Sequence, residues 1–383
     1  MIQRISAGTL KTISQGFPIV AVTGPRQSGK STLVKDVFPD KPYITFDDLD
    51  RLESAKADPK RFLSQFDKGA VIDEAQRFPD IFSYLKLIVD ASKVPGMFII
   101  TGSQQFGLIS HITESLAGRA GFVQLLPFSL PELISADKLP GLDSLLYQGM
   151  YPPLYDRNVS AKIWFAGYVT TYLERDVRDM LNIRELSAFQ RFLRMCAART
   201  GQLLNVSGLA GDCGISMQTA RGWLSILEAS YIVFLLQPHF SNFGKRLVKS
   251  PKLYFYDTGL AAWLLNIQDA EHLSIHPSRG ALFENLIITE LLKQRFNRGS
   301  VSNLYFWRDN SGNEIDLLID NGAELVPVEI KSGETLNDDY FKTLYKWNKI
   351  TGRETPSYLI YGGNESHKRN SVNVIPWRSL PLI

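Results

Sequence analysis

The chain has 383 residues, of which 44% are hydrophobic and 21% charged. This composition is typical of a globular protein, and the length predicts more than one domain. Because the net charge is only +3, any nucleic-acid surface must be local. The two cysteines, Cys196 and Cys213, have no metal-type spacing and suggest neither a disulfide framework nor a zinc site. The sequence shows neither a signal peptide nor a membrane span, so we expect a cytoplasmic protein.

Three zones with different patterns of apolar residues predict an α/β multidomain protein. Up to about Leu133, short apolar runs alternate with helical stretches, as in a mostly parallel sheet covered by helices. The pattern is mainly helical from Leu145 to Leu236, and strands return from Lys252 onward, in pairs joined by tight turns. We therefore predict three domains, residues 1–135, 136–250 and 251–383.

A phosphate-binding loop follows the first apolar run, Pro18–Val22, and precedes a helix. The pattern G-x-x-x-x-G-K-S is complete and lies in the strand–loop–helix context that it requires. Glycines let the backbone N–H groups curl around phosphate oxygens at a helix N-terminus, while the lysine reaches the β- and γ-phosphates and the serine hydroxyl binds Mg²⁺. The predicted ATP-binding residues are Gly24, Pro25, Arg26, Gln27, Ser28, Gly29, Lys30, Ser31 and Thr32.

Two acids end a second apolar run, Ala70–Ile72. In P-loop enzymes the first acid at such a strand end holds Mg²⁺ and an adjacent glutamate polarises the attacking water. We assign Asp73, together with Ser31, to the metal and Glu74 to catalysis. The presence of Glu74 favours ATP hydrolysis over a switch that only binds ATP.

A third apolar run, Met97–Ile100, ends in Thr101-Gly102-Ser103. A polar side chain at this strand end can contact the γ-phosphate of ATP, and Ser103 or Thr101 is the candidate. A simple Gly-Ser turn explains the same residues equally well.

Arg119 precedes the apolar run Phe122–Leu126. We list it as a candidate catalytic arginine finger, supplied within the chain or to a neighbouring subunit of a homo-oligomer. The alternative is a solvated arginine at a helix end.

Together these motifs resemble the AAA-type ATP-binding proteins of archaea and bacteria, and the resemblance covers nearly the whole chain. The matching segments are GPRQSGKS, VIDEAQ, TGSQQ, LAGRA and, at Tyr172–Val177, YLERDV. The resemblance implies a P-loop AAA-like ATPase domain, a winged helix and a C-terminal domain of unknown function. It implies ATP and Mg²⁺ as cofactors and no particular biological substrate.

A helix-turn-helix pattern occupies the middle of the chain. Leu203–Cys213 has helical apolar spacing, Gly214 marks a turn, and Ser216 is the predicted N-cap of a second helix that ends at Leu227. The β-rich run Tyr231–Leu236 and a basic loop complete a winged-helix layout; the basic residues are Lys245, Arg246, Lys249 and Lys252. This layout is typical of DNA binding, with the second helix in the major groove.

The opposing interpretation is a lid or a protein-interaction module. Arg221 is the one basic residue in the exposed part of the second helix, which disfavours base-specific reading of DNA.

Two C-terminal strands, Glu314–Asp320 and Glu324–Lys331, flank Asn321-Gly322, which predicts a hairpin with a two-residue turn. This register places Asp320 opposite Ala323, Ile315 opposite Val328 and Glu314 opposite Glu329. One face is predicted to be apolar: Ile315, Leu317, Ile319, Val326, Val328 and Ile330. The other face carries Glu314, Asp316, Glu329 and Lys331.

Carboxylates gathered on one sheet face repel each other, and a divalent cation would relieve the repulsion. We therefore predict Asp316 and Glu329 as metal ligands, with Lys331 steadying a phosphorane-like transition state. A solvated polar hairpin face is the alternative. The pattern looks like the PD-(D/E)xK nuclease superfamily, a restriction-endonuclease-like fold, and this resemblance implies Glu284, in the helix Gly280–Phe296, as a further catalytic acid.

These patterns support two functions of different classes. The leading hypothesis is an ATP-dependent DNA-processing enzyme whose ATPase regulates a nuclease site built from Glu284, Asp316, Glu329 and Lys331. The competing hypothesis is an ATP-dependent switch that acts on a protein partner and carries an inactive nuclease-like domain. Near-neutral charge favours the switch, whereas the complete set of nuclease-like residues favours the enzyme.

Overall fold

The structure is a computed structural model that describes residues 2–102, 115–157, 159–173, 186–239, 249–309, 311–352 and 355–380. Among the predicted residues, Ser103, most of the YLERDV segment, and Lys245 and Arg246 of the basic loop lie outside this part of the chain.

The N-terminal region contains a parallel sheet in the order β2-β3-β4-β1-β5. Apolar runs form these strands because both sheet faces are covered by helices. The strands are β1 (Ile19–Thr23), β2 (Tyr43–Thr45), β3 (Ala70–Asp73), β4 (Phe98–Gly102) and β5 (Ala120–Gln124). The helices are α1 (Ser6–Gly16), α2 (Lys30–Val37), α3 (Leu49–Ala57), α4 (Pro59–Leu63), α5 (Ile81–Ser92) and α6 (Leu130–Ser135).

The middle of the chain is mainly helical. Its elements are α7 (Leu142–Gln148), α8 (Pro153–Asp156), α9 (Ala161–Tyr168), α10 (Leu186–Ala198), α11 (Val206–Cys213), α12 (Met217–Ala229), β6 (Val233–Leu236), β7 (Lys252–Phe255), α13 (Thr258–Leu264) and α14 (Ala270–Ile275). Ser216 caps α12, since its side chain accepts from Thr219 N–H at 3.0 Å. Helices α11 and α12 are joined at Gly214, in the left-handed conformation, and β6 pairs antiparallel with β7.

The C-terminal region holds a mixed sheet in the order β12-β13-β11-β10-β9-β8. Helix α15 (Arg279–Asn297) precedes it, close to the predicted Gly280–Phe296, and packs against β10. Helix α16 (Asp339–Thr351) packs against β9 and β10. The strands are β8 (Leu304–Arg308), β9 (Glu314–Asp320), β10 (Leu325–Lys331), β11 (Ser357–Tyr361), β12 (His367–Arg369) and β13 (Val372–Pro376).

The predicted register of the β9–β10 hairpin is wrong by two residues. Asp320 pairs with Leu325 and Val328 with Leu317, so residues 321–324 form a four-residue loop. The loop closes on itself because the Asp320 side chain accepts from Gly322 N–H at 2.8 Å, a side-chain turn that competes with the expected tight turn. A shift of two keeps each side chain on its face.

The predicted apolar face is wrong for Ile315. The β8–β9 register shifts by one residue between Tyr305 and Trp307, as at a β-bulge, where one residue lies opposite two. Ile315 therefore packs with Trp307 and Leu318. The other five predicted residues belong to the large core: Leu317, Ile319, Val326, Val328 and Ile330.

One hydrophobic core runs through all three regions. It includes Ile2 and Leu126 of the N-terminal region, Phe192 and Trp223 of the middle, and Trp377 near the C-terminus. The parallel sheet has its own clusters on its two faces. Within the described residues, we find no helix long and apolar enough to cross a membrane.

Candidate functional site

The phosphate loop joins β1 to α2, and its backbone needs glycine at two positions. Gly24 has φ +149°, and a Cβ atom there would lie 2.1 Å from the carbonyl oxygen of Leu125. Gly29 has φ +93° and is the residue immediately before α2. Both conformations are strained for any residue with a side chain. The loop is therefore built as the sequence pattern requires.

Lys30 is buried beneath the loop, with 5% of its surface exposed. Its Nζ donates to the carbonyl oxygens of Gly24, at 2.9 Å, and Pro25, at 2.8 Å. Burial lowers the pKa of Lys30 to about 8, against the opposing effect of the Glu74 and Asp73 carboxylates. The ammonium group is thus held at the loop by weak dipoles that phosphate oxygens can replace.

Asp73 lies at the carboxyl end of β3 and collects three hydroxyl donors. Ser31 Oγ donates to its Oδ2 at 2.9 Å, and the hydroxyls of Tyr43 and Thr101 also donate to its carboxylate. Thr101 is therefore turned toward Asp73. The structure thus brings together the two side chains that the sequence assigned to the metal.

Glu74 follows Asp73 in the left-handed conformation, with φ +54°, which is uncommon for a residue other than glycine. Its carboxylate accepts a hydrogen bond from Gln76. Burial raises its pKa, and the Lys30 ammonium opposes this rise. Glu74 faces the same cleft as Lys30 and Ser31.

The cleft over the loop has a volume of ≈ 380 Å³. It is lined from one side by the phosphate loop, Asp47 and Glu74, and from the other by residues around α8: Pro152, Pro153, Asp156 and Arg157. Gln27 also contacts the middle region, since Trp164 Nε1 donates to its Oε1 at 3.2 Å. Sequence reasoning missed these facing residues because they belong to no motif and meet the loop only in the folded chain.

A second cavity, of ≈ 280 Å³, adjoins Gly29 and Thr32. Its other walls mix apolar with polar and charged side chains, among them Arg4, Asp36 and Asp156. The apolar part consists of Ile2, Leu33, Phe128 and Pro152.

Arg119 lies at the edge of the sheet opposite the phosphate loop. Its carbonyl accepts from Ile19 N–H, the first residue of β1, whereas the loop follows the last. Five strand residues separate the two edges by roughly 16 Å, and the guanidinium pairs with Asp90 of α5. The interpretation of Arg119 as an arginine finger within its own chain is therefore wrong. A role toward a neighbouring subunit stays a prediction.

The predicted C-terminal residues meet where β9, β10 and α15 come together. Lys331 Nζ donates to Asp316 Oδ2 at 3.0 Å and to Glu329 Oε1 at 2.6 Å. The backbone N–H of Ile330 also donates to Asp316, at 2.9 Å. Glu284 of α15 interacts electrostatically with both acids. The four predicted residues therefore form one group.

Three further residues complete this group: Glu314, which the sequence already placed on the same face, and Lys252 and Tyr254, which it did not connect with the group. Lys252 Nζ donates to Glu284 Oε1 at 3.2 Å and also contacts Glu314, and the hydroxyl of Tyr254 donates to Glu284. The prediction that Lys252 belongs to an exposed basic loop is wrong, since it lies in β7 and is 2% exposed. We call the seven residues the C-terminal cluster: Lys252, Tyr254, Glu284, Glu314, Asp316, Glu329 and Lys331.

Charge in the C-terminal cluster is only partly balanced. Burial, reinforced by Asp316, raises the pKa of Glu329 to about 8 and also raises the pKa of Glu284. Glu329 Oε2 is buried and accepts no hydrogen bond from any described residue. The described side chains nevertheless contain no group of three or more His, Cys, Asp or Glu placed to hold a metal ion.

Family comparisons agree with this architecture. Residues 16–134 match the AAA domain family. Residues 139–271 match a domain of unknown function, DUF8612, and residues 279–380 match another, DUF4143. The fold, the phosphate loop and the AAA match define the class of protein: one with an N-terminal ATP-binding P-loop domain of the AAA type.

Two curated relatives place the chain more closely. The uncharacterized proteins Rv2008c of Mycobacterium tuberculosis and Mb2031c of Mycobacterium bovis are each 34% identical to it over 336 residues, 87% of this chain and 74% of theirs. The chain belongs to the family of these proteins. Among solved structures, the Walker-type ATPase PABY2304 of Pyrococcus abyssi is similar, with 18% identity and a TM-score of 0.47 over 69% of this chain and 96% of that one.

Proposed function

We propose that the chain hydrolyses ATP in the cleft over the phosphate loop, with Mg²⁺ held by Ser31 and Asp73. The observation that carries the proposal is the 2.9 Å hydrogen bond between Ser31 Oγ and Asp73 Oδ2, the hydroxyl–carboxylate pair that holds the cation in P-loop enzymes. These oxygen donors suit a hard cation. Bound Mg²⁺ would neutralise charge that develops on the β- and γ-phosphates.

The other residues of the cleft have roles that follow from their positions. Lys30 exchanges the carbonyls of Gly24 and Pro25 for phosphate oxygens. Glu74, once it has lost its proton, accepts a hydrogen bond from the attacking water and orients it. Its raised pKa makes the carboxylate a stronger base than a solvated glutamate.

Substitution of Lys30 and Glu74 tests the proposal. Lys30→Ala should abolish ATP binding, because it removes the ammonium group that is held against the loop. Glu74→Gln should bind ATP within about threefold of wild type and lose at least about 100-fold in turnover. Glu53→Gln, an exposed change on α3, is the matched control. Wild-type turnover by Glu74→Gln would remove that residue from the mechanism.

We propose that the nucleoside part of ATP occupies the cavity beside Gly29 and Thr32, where Ile2, Leu33 and Phe128 supply its apolar side. Phe128 lines this cavity, and because its ring is 3% exposed and lies under the Arg4 guanidinium, it would give the base an apolar contact rather than a stacking face. Phe128→Leu should weaken ATP binding severalfold and leave the binding of inorganic triphosphate unchanged, because triphosphate has no base. Equal loss for both ligands would contradict this placement.

For the C-terminal cluster we propose cation-dependent cleavage of nucleic-acid phosphodiester bonds, regulated by the ATPase. The favouring observation is the buried Glu329 Oε2 without a hydrogen-bond partner among the described residues, next to Asp316 and Lys331. A divalent cation would satisfy this oxygen and, when bound, would polarise a phosphodiester and activate water. Lys331 would then be free to donate to the scissile phosphate.

The competing proposal is a switch that acts on a protein partner. Lys252 and Lys331 already neutralise part of the C-terminal cluster, which suits a structural role for the buried acids. A winged helix built from α11, α12 and the β6–β7 hairpin would serve as a DNA contact under the first proposal and as an interaction module under the second.

DNA cleavage separates the two proposals. Labelled linear, branched and single-stranded DNA is incubated with Mg²⁺ or Mn²⁺, with and without ATP. Cleavage lost in Lys331→Ala and retained in Lys342→Ala, an exposed lysine, would establish the nuclease. Absence of cleavage with intact ATPase activity supports the switch, as does absence of salt-sensitive DNA binding.

A further inference from the structure

A series of buried charged side chains leads from the phosphate loop to helix α15, which carries Glu284 of the C-terminal cluster. We call Arg4, Glu132, Glu290 and Lys293 the charge chain. We propose that Arg4 is a positioning residue of the phosphate loop, and that the charge chain couples ATP binding to α15. The coupling rests on ATP binding at the loop, as proposed above, and adds the route by which that site regulates the C-terminal region.

Arg4 holds the loop through a backbone carbonyl, and it also lines the cavity beside Gly29 and Thr32. Its Nη1 donates to the carbonyl oxygen of Ser28 at 2.7 Å and its Nη2 to that of Leu126 at 2.6 Å. The carbonyl of Ser28 and the N–H of Gly29 belong to one planar peptide unit and point in opposite directions. A guanidinium fixed on this carbonyl therefore directs the N–H of Gly29 away from itself, toward the phosphate side.

Glu132 holds Arg4 in place. Its Oε1 accepts from Arg4 Nε at 3.0 Å and from Ile5 N–H at 2.8 Å. Its Oε2 accepts from Ser129 N–H at 2.8 Å. The side chains of Arg4 and Glu132 are 8% and 0% exposed, so neither has water as a substitute partner. A buried pair of this kind resists separation, because one partner alone would leave an uncompensated charge.

Glu290 and Lys293 continue the charge chain into α15. Glu290 Oε2 accepts from Leu130 N–H, at the start of α6, at 2.7 Å. Lys293 Nζ donates to Glu290 Oε1 and to the carbonyl of Phe128, each at 2.7 Å. Helix α6 is thus held between Arg4 on one side and α15 on the other. Glu284 lies six residues before Glu290, about 9 Å along the same helix.

ATP binding changes the hydrogen bonds of the loop, and the charge chain would transmit this change to α15. Lys30 must leave the carbonyls of Gly24 and Pro25 to reach the phosphates. The peptide after Ser28 must take the orientation that the phosphate selects. If one orientation of this peptide favours one position of Arg4 and α15, ATP binding favours that position of α15. By linkage, a change in α15 then alters ATP affinity by the same free energy.

The first experiment measures ATP affinity and thermal midpoint together. Arg4→Met should raise the Kd for ATP at least tenfold, and Arg4→Lys should recover part of the affinity because it restores a donor to Ser28. An unchanged Kd in Arg4→Met, together with a lowered thermal midpoint, would show a purely structural role and overturn the proposal.

The second experiment tests the end of the charge chain that lies on α15, away from the phosphate loop. Glu290→Gln keeps the shape of the side chain and should raise the Kd for ATP at least threefold, although Glu290 does not line the ATP cleft. Leu291→Ala is the matched control: it truncates a buried neighbour on α15 outside the charge chain, and should lower the thermal midpoint without changing the Kd. Equal Kd values for Glu290→Gln and wild type would overturn the coupling.

If Glu290→Gln does not fold, hydrogen exchange in the wild-type chain tests the coupling between ATP binding and α15. A non-hydrolysable ATP analogue with Mg²⁺ should slow amide exchange in residues 279–297, and should fail to do so in Arg4→Met at saturating analogue. Unchanged exchange in the wild type with analogue bound would overturn the coupling. Failure of the wild type to bind the analogue at all would instead contradict the ATP site itself.

Discussion

Lys30, the lysine that the phosphate loop needs for ATP binding, is buried in the protein without ATP. Its ammonium group is removed from water and donates to two backbone carbonyls, and burial lowers its pKa to about 8 although the Glu74 and Asp73 carboxylates oppose the change. Because this pKa is only slightly above neutral pH, most but not all Lys30 side chains carry a charge at pH 7. Triphosphate supplies stronger compensation, because its oxygens carry charge.

ATP affinity should therefore fall as pH rises through about 8. Below this pH the Lys30 ammonium is charged in the free protein; above it, binding must first add a proton, and affinity decreases by up to about tenfold per pH unit. Isothermal titration between pH 6.5 and 9.5 measures the effect. In Lys30→Arg any residual binding should not show this loss, since arginine keeps its proton. A flat wild-type profile would contradict the prediction.

Gly24 is a second residue-scale constraint, and it acts through sterics. Gly24→Ala would place a methyl carbon 2.1 Å from the carbonyl oxygen of Leu125, so the loop must move. We expect ATP affinity to fall at least about tenfold, with a lower thermal midpoint. Gly8→Ala, in α1 with nothing within 4 Å, is the control and should retain ATP affinity. Equal affinities for the two variants would show that the loop tolerates the shift.

At the scale of elements, α15 is held to β7 by side-chain bonds that imitate a strand pairing. Asn285 Oδ1 accepts from Phe255 N–H at 2.8 Å, and its Nδ2 donates to the Phe255 carbonyl at 2.7 Å. Asn285 is fully buried. The same helix therefore carries Glu284 toward the C-terminal cluster and fixes the position of β7, which supplies Lys252.

Asn285→Leu should cost about 3 kcal/mol of unfolding free energy, because it leaves the N–H and carbonyl of Phe255 without these partners. Thr289→Val removes a 3.3 Å bond to the same carbonyl and a 3.2 Å bond from Asn285 Nδ2, but leaves both bonds between Asn285 and Phe255 in place, and should cost less than about 1.5 kcal/mol. Urea unfolding followed by circular dichroism compares the two. Similar losses in both variants would mean that Asn285 contributes only packing.

At the scale of the whole molecule, the ATP site and the C-terminal sheet share the large core that extends from Ile2 to Trp377. All six tryptophans lie beyond residue 135: Trp164, Trp223, Trp263, Trp307, Trp347 and Trp377. Their fluorescence therefore reports unfolding outside the N-terminal region.

ATP should raise the midpoint of tryptophan-detected unfolding if the regions unfold together. A ligand at 100 times its Kd contributes about 2.7 kcal/mol to the state that binds it. Lys30→Ala should show no such shift. A transition that ATP leaves unmoved in the wild type, while ATP binding is intact, would mean that the N-terminal region unfolds independently.

The sequence predicted well what depends on local chemistry. The phosphate loop, the acids after β3, the Ser216 cap and helix α15 were placed from spacing and residue type alone, because glycine conformation, capping and helical periodicity act over a few residues. The β9–β10 faces were largely right for the same reason. The register was wrong because the Asp320 side chain, rather than Asn321-Gly322, decides how the loop closes.

Relations between distant segments were decided by tertiary structure. Arg119 belongs to a recognisable motif, yet the direction of β5 places it at the edge of the sheet opposite the phosphate loop. Lys252 was read as an exposed basic residue, and burial among carboxylates gives it another role. By itself the sequence determined an AAA-family ATP site, since its motif is contiguous. Which residues face that site, and how Arg4 connects it to α15, only the folded chain decides, because packing joins segments that no local pattern relates.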